Sequence, residues 1–160
     1  VISLAERLKI VPQLGAVEWI GVRPARGAAM IAIDEVEAVA DRGLAGDRYR
    51  ANGTRQVTLI QAEHVPVIAA LAGHEVTPAL LRRNLVVSGI NLLSLQKQRF
   101  AIGEVVLIGT SACAPCDKME VAIGEGTFQA MRGHGGICAK IERGGVIRRG
   151  DRVRLLADNS

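Results

Sequence analysis

The feature that most constrains this chain is its rhythm. Short runs of β-branched and aliphatic residues follow one another, and Gly turns separate many of them. The runs at 16–22, 57–60, 84–88, 99–102, 104–110, 137–142, 146–149 and 153–156 read as strands. Segment 30–39 alternates apolar and polar residues, with Ile31 and Ile33 and then, after a slip, Val36 and Val39. Helical signals are sparse. Residues 3–11 suit one short helix, and 61–72 another, with Pro66 in its first turn and Gly73 at its end. Thr77 as cap and Pro78 at the first position open a third helix through Arg83, and 126–132 suits one or two turns. Strands that follow each other without regularly alternating helices argue against a doubly wound sheet. The expected architecture is mainly β with short helices (α+β): a closed or nearly closed mixed β-barrel with helices at its periphery. Residues 1–160 carry no repeat, low-complexity tract or linker and read as a single domain.

Composition then removes whole classes of function. A chain that is 49% hydrophobic can build a core, which excludes global disorder. No charge-free stretch, including 105–116 with its Gly and Pro, is long enough to span a bilayer. Glu6, Arg7, Lys9 and Glu18 exclude a signal peptide from the first residues, so a cytoplasmic protein is expected. Trp19, Tyr49, Phe100 and Phe128 are the only aromatics, too few for a single-strand nucleic-acid platform. Arg greatly outnumbers Lys. Its planar fork suits phosphate and carboxylate. Codon usage yields the same excess, so only local clusters carry weight.

The three cysteines, Cys113, Cys116 and Cys138, are too few and too odd in number for a disulfide framework. Cys113-Ala114-Pro115-Cys116 follows a strand and admits several readings. The C-x-x-C spacing suits a redox dithiol, but a thioredoxin-like setting is missing. Cys113, Cys116, His134 and Cys138 could hold structural zinc, but Cys138 sits in an apolar strand where buried thiols are common. A single thiolate in a Gly- and Arg-rich mouth, favoured by Lys118, would suit a soft or high-valent metal or carry a persulfide. Two ordinary half-buried cysteines are the plain alternative.

Three further clusters stand beside the cysteines. Asp41-Arg42-Gly43-Leu44-Ala45-Gly46-Asp47-Arg48-Tyr49-Arg50, with Arg55 beyond, pairs backbone freedom with anion-holding forks, or is a solvated loop with local Asp–Arg pairs. Arg82-Arg83-Asn84 suits contact with an anion or heterocycle, or complements a helix C-terminus. Arg132-Gly133-His134-Gly135-Gly136 exposes an imidazole or simply turns. There is no nucleophile elbow and no Walker loop, and Gly124-Glu125-Gly126 is too little for a dinucleotide fingerprint.

Taken in order, these pieces resemble the MOSC domain, named for the C-terminal part of molybdenum cofactor sulfurases. The resemblance covers roughly residues 16–156. It rests on Trp19-Ile20-Gly21-Val22, Gly43-Leu44-Ala45-Gly46-Asp47-Arg48, Arg55-Gln56-Val57-Thr58-Leu59-Ile60 and Arg82-Arg83-Asn84-Leu85-Val86-Val87-Ser88-Gly89-Ile90. Phe100-Ala101-Ile102-Gly103-Glu104, the Cys segment, Gly135-Gly136-Ile137 and Gly144-Gly145-Val146-Ile147-Arg148-Arg149-Gly150-Asp151 complete it.

The resemblance implies a barrel-like fold with a cofactor or sulfur site in a cleft. It implies the molybdenum cofactor (molybdopterin) as ligand, Cys116 as catalytic residue and molybdenum ligand, and Arg82 and Asn84 at the pterin phosphate and ring. Arg48, Gly46 and Asp47 would line the same mouth. The activity implied is an oxidoreductase that reduces small N-hydroxylated compounds with an external electron-donor protein. The alternatives are a sulfur carrier with a Cys116 persulfide, loaded by a pyridoxal-phosphate-dependent desulfurase, and a non-catalytic module with structural zinc. Neither nucleic acid nor membrane is an expected partner, and a homodimer stays open.

Overall fold

The structure, a computed structural model, describes residues 1–48 and 53–158; Tyr49 and Arg50 of the Gly-rich loop therefore lie outside the described residues. In chain order the elements are α1 (Leu4–Arg7), β1 (Gly15–Val22), β2 (Ile31–Ile33), β3 (Glu35–Val39), β4 (Gly43–Leu44), β5 (Val57–Gln61), α2 (His64–Ala72), α3 (Pro78–Leu81) and β6 (Leu85–Ser88). A 3-10 turn (Leu92–Leu95) precedes β7 (Arg99–Ile102), β8 (Val105–Ala112), α4 (Lys118–Ala122), α5 (Thr127–Met131), β9 (Ile137–Arg143), β10 (Gly145–Arg148) and β11 (Arg152–Leu155).

Strand pairing runs β1-β11-β7-β8-β9-β5-β6 and returns to β1, so seven strands close a barrel. The pair β5–β6 is parallel, with Leu59 opposite Leu85, and the other barrel pairs are antiparallel. A parallel pair needs a long crossover, and here the crossover carries α2 and α3. Outside the ring, β2 pairs with β1, and β10, β3 and β4 form a small second sheet.

The period of two along each strand sorts the side chains. Leu59, Leu85, Val87, Phe100, Ile102, Leu107, Ile137, Ala139, Ile141 and Val153 belong to the barrel interior. Ile60 and Val86, on the opposite face, join Ile68, Leu81, Met119 and Met131 in a second core beneath the helices. All of β5 is buried, which is why Leu59 and Ile60 are apolar on both faces rather than alternating with polar residues. Gly136 permits the tight entry into β9: its φ is +85°, and a Cβ there would lie 1.8 Å from the Leu59 carbonyl oxygen.

Four details differ from the sequence reading. Segment 30–39 breaks at Asp34, where the apparent slip marks a change of sheet: β2 pairs with β1, and β3 with β10. The first helix shrinks to Leu4–Arg7, held by a Ser3–Glu6 capping box. None of its residues is buried, so no packing extends so short a helix. The third helix ends at Leu81, because Arg82 turns to φ +58°. The helix α4, after the Cys segment, carried no cap or periodicity strong enough to be read.

Phe100 is fully buried and Leu4 is 72% exposed. Phe100→Ala is therefore expected to cost about 3–5 kcal/mol in urea unfolding, and Leu4→Ala less than about 0.5 kcal/mol.

Candidate functional site

The site grows from a polar layer on the outer face of β5, β6 and β9. Thr58 lies between the inward-facing Val57 and Leu59, so it points away from the barrel axis. Asn84, fully buried just before β6, meets it there. The Asn84 Oδ1 accepts from the Thr58 N–H and hydroxyl, both at 3.1 Å, and from Arg23 Nη2 at 3.4 Å. Its Nδ2 donates to the Gly21 carbonyl at 3.1 Å.

Arg23, one residue past β1, is 3% exposed, and its partner Asp47 is 2% exposed. Arg23 Nε and Nη2 reach the two Asp47 oxygens at 3.3 Å each, and the Arg23 backbone N–H donates to Asp47 Oδ1 at 2.7 Å. Gly46, at φ +83°, makes the turn that brings Asp47 beneath the arginine. Two consequences reach the surface. Arg23 Nη1 donates to the Arg82 carbonyl at 3.1 Å, bracing a left-handed backbone that a β-carbon-bearing residue rarely adopts. The Arg48 N–H donates to the Arg23 carbonyl at 2.7 Å and is thereby fixed beside it.

Above this layer opens a cleft of about 530 Å³. Arg23, Arg48, Arg55, Arg82, Arg83 and Lys118 supply its charge, Met119, Val121 and Ala122 line an apolar side, and Cys116 stands exposed in it. No carboxylate lines it among the described residues. Arg82 is steadied by a 2.9 Å bond from Nη1 to the Ala28 carbonyl.

Arg83, 3% exposed, faces the loop that carries the cysteine. Its guanidinium donates to the carbonyls of Gly135 (2.9 Å), Leu81 (3.0 Å), Cys113 (3.3 Å) and Ala114 (3.4 Å). Burial lowers its pKa from the ordinary value, and the neighbouring Cys113 opposes that effect. Gly135 lets the strands close in: a Cβ there would lie 2.2 Å from the Cys113 oxygen. A cleft so lined can hold a multiply charged anion through forked hydrogen bonds, with a sulfur atom presented at its edge.

The structure thus brings Cys116, Arg48 and Arg82 together in one cleft. Asn84, Asp47 and Gly46 do not line it. The first two commit their polar atoms to Arg23, Thr58 and Gly21, and Gly46 serves a turn, so these residues lie beneath the cleft and brace its floor. Sequence reasoning missed Arg23 altogether, since an arginine after an apolar strand carries no local sign of a buried partner 24 residues away. Arg55 and Arg83 were visible only as members of basic clusters.

The zinc set is not assembled. Among the described residues no three or more of His, Cys, Asp and Glu are gathered to hold a metal. His134 instead packs edge-on against His64, with ring centroids 4.9 Å apart. Nor is C-x-x-C a facing dithiol: Cys113 is buried, as is Cys138 on the neighbouring strand, whereas Cys116 is exposed.

Two outcomes follow for stability. Asp47→Ala strands a buried guanidinium and is expected to cost about 3–5 kcal/mol in urea unfolding, much of it recovered when Arg23→Met is added. Burial first, and then His134, lower the His64 pKa from its ordinary 6.5. Near and below that value the unfolded chain binds more protons, so this contribution is present above it and is lost as pH falls through the lower folded value. Urea midpoints measured across that window should fall less steeply for His64→Gln than for the unaltered chain.

Comparison with known proteins agrees with this architecture. The sequence profile of the MOSC domain matches residues 36–154. Comparison with curated proteins finds no match. Among solved structures, the YuaD protein from Bacillus subtilis is similar at TM-score 0.75 and 19% identity, over 90% of this chain and 97% of that one. YiiM from Escherichia coli is similar at TM-score 0.67 and 21% identity, over 91% and 71%. YiiM from Geobacillus stearothermophilus is similar at TM-score 0.72 and 16% identity, over 89% and 75%. At these identities the structures speak to fold alone. The profile covers most of the chain, and the chain belongs to the MOSC domain family.

Proposed function

We propose that the cleft binds the molybdenum cofactor, with Cys116 as the protein ligand of molybdenum, and that the chain reduces small N-hydroxylated compounds. MOSC domains are associated with molybdenum cofactor binding or sulfurase-related roles. The observation that carries the reading here is an exposed cysteine in a cleft whose charged lining is entirely cationic among the described residues. The donor set fits the group: the cofactor bears a phosphate and a sulfur-ligated metal. Arginine forks match phosphate, and a thiolate is a soft ligand.

When bound, the cofactor supplies the two-electron chemistry that removes oxygen from an N–O bond. The chain's own residues do the rest. Arg82 and Arg48 would hold the phosphate and ring, with Arg55 and Lys118 adding to the field. Asn84 and Asp47, which the resemblance places at the cofactor, act through Arg23 to hold Arg82 and Arg48 in place. Met119, Val121 and Ala122 limit water on one side. An external donor protein would deliver the electrons.

The exposure of Cys116, with no metal-holding group of side chains among the described residues, also suits a second reading. In it Cys116 carries a persulfide received from a pyridoxal-phosphate-dependent desulfurase, and the arginines steady the sulfur anion.

Elemental analysis after incubation with excess cofactor and desalting separates the two. The expected result is close to one molybdenum per chain, lost in Cys116→Ser and retained with about tenfold lower affinity in Arg82→Ala. No molybdenum in the unaltered chain, together with cyanide-labile sulfur that depends on Cys116 after desulfurase loading, would replace the first reading with the second.

A further inference from the structure

Beneath the cleft lies a second sulfur site that the proposed chemistry does not use. Cys113 and Cys138 are free thiols, each 2% exposed. The β8–β9 ladder brings them together. Ala112 pairs with Ile137, and the Cys113 N–H donates to the Gly136 carbonyl at 2.8 Å. Cys138 then lies one diagonal step from Cys113 across the two strands, and the two side chains act on each other's acidity. Neither sulfur belongs to the barrel interior, to which β9 contributes Ile137, Ala139 and Ile141. Both sit on the outer face, under the cleft.

Arg83 ties this pair to the cleft. Its hydrogen bonds go to carbonyls alone, and among the described residues it has no carboxylate partner. A buried cation needs a compensating anion, and the neighbouring charge that favours it most is the Cys113 sulfur. The same surroundings act on the sulfurs: the Cys138 side chain, with help from Arg83, lowers the Cys113 pKa to about 6. The Cys113 side chain and burial raise that of Cys138, so Cys113 is the more acidic sulfur of the pair.

We propose that Cys113 and Cys138 form a redox pair that a hydroperoxide closes to a disulfide, and that closing it makes the cleft more positive. The Cys113 thiolate attacks the peroxide oxygen, giving a sulfenic acid and expelling hydroxide or alkoxide. The Cys138 sulfur then attacks the sulfenic sulfur. The S–S bond forms, the S–O bond breaks, and the oxygen leaves as water with the Cys138 proton. Two electrons pass from the sulfurs to the peroxide, and with hydrogen peroxide the products are a disulfide, one water and one hydroxide, which solvent protonates. A disulfide carries no charge, so Arg83 loses its counter-ion and its field turns toward the cleft that it lines.

The test uses the full chain with Cys116→Ser, which removes the exposed competing thiol. After stoichiometric hydrogen peroxide, intact mass should fall by two hydrogens, and peptide mapping should place the cross-link at Cys113–Cys138. Inorganic phosphate should bind severalfold more tightly after oxidation than before. Adding Cys138→Ser should abolish the cross-link and leave oxygen adducts on Cys113. Oxygen adducts without a cross-link in the Cys116→Ser chain would overturn the pair. So would no reaction there, or a dominant Cys113–Cys116 cross-link in the unaltered chain. A cross-link without tighter phosphate binding would overturn the coupling to Arg83.

Discussion

The ion pair between Arg23 and Asp47 is the contact on which the cleft depends. Both groups are taken almost entirely out of water, where separate charges would be costly. That cost is offset by the partners around the guanidinium: two Asp47 oxygens, the Asn84 amide oxygen and the Arg82 carbonyl. The fork of Arg23 therefore joins the end of β1, the Gly-rich loop, the start of β6 and the end of α3. A lysine could not make these bonds together, because it presents a point charge and no planar fork.

The barrel places this contact at the right depth. The parallel pair β5–β6 is covered on both faces, by the barrel interior and by the helical layer. Leu81 and Met119 share that outer core with Ile60 and Val86, so the helices on either side of the cleft are anchored to the same strands. Beyond the apolar stretch the same outward positions become Thr58, Asn84 and Cys138. One strand face thus passes from a sealed core to a hydrogen-bonded layer, and the cleft opens above that layer. Arg83 holds the Cys113 and Ala114 carbonyls, so the segment leading to Cys116 is attached to the layer as well.

Legibility in the sequence followed the range of each interaction. Thr77 and Pro78 announced α3, and Gly73 announced the end of α2, because caps act within a turn of the helix. The slip at 30–39 was visible, but its meaning was not: whether a chain kinks or changes sheet depends on which strands stand beside it. Cys116 and Arg82 stood out through the company of a second cysteine and a second arginine. Asn84 and Asp47 stood out beside them, and the fold turns their side chains to Arg23, Thr58 and Gly21. His134 resembled a zinc ligand by spacing and instead packs on His64.

By itself, the sequence determined a mostly β chain of short strands with peripheral helices, an aliphatic core and a set of cationic and sulfur-bearing segments whose order marks the MOSC family. These properties live in local period, turn chemistry and residue order, which the chain states one window at a time. Tertiary structure decided which arginines open onto the cleft and which meet a carboxylate beneath it, and that Cys113 is buried beside the Cys138 strand while Cys116 is exposed. Those outcomes depend on burial and on partners far apart in the chain. A side chain's charge acts as binding surface or as internal support only once the fold has settled whether water or protein surrounds it.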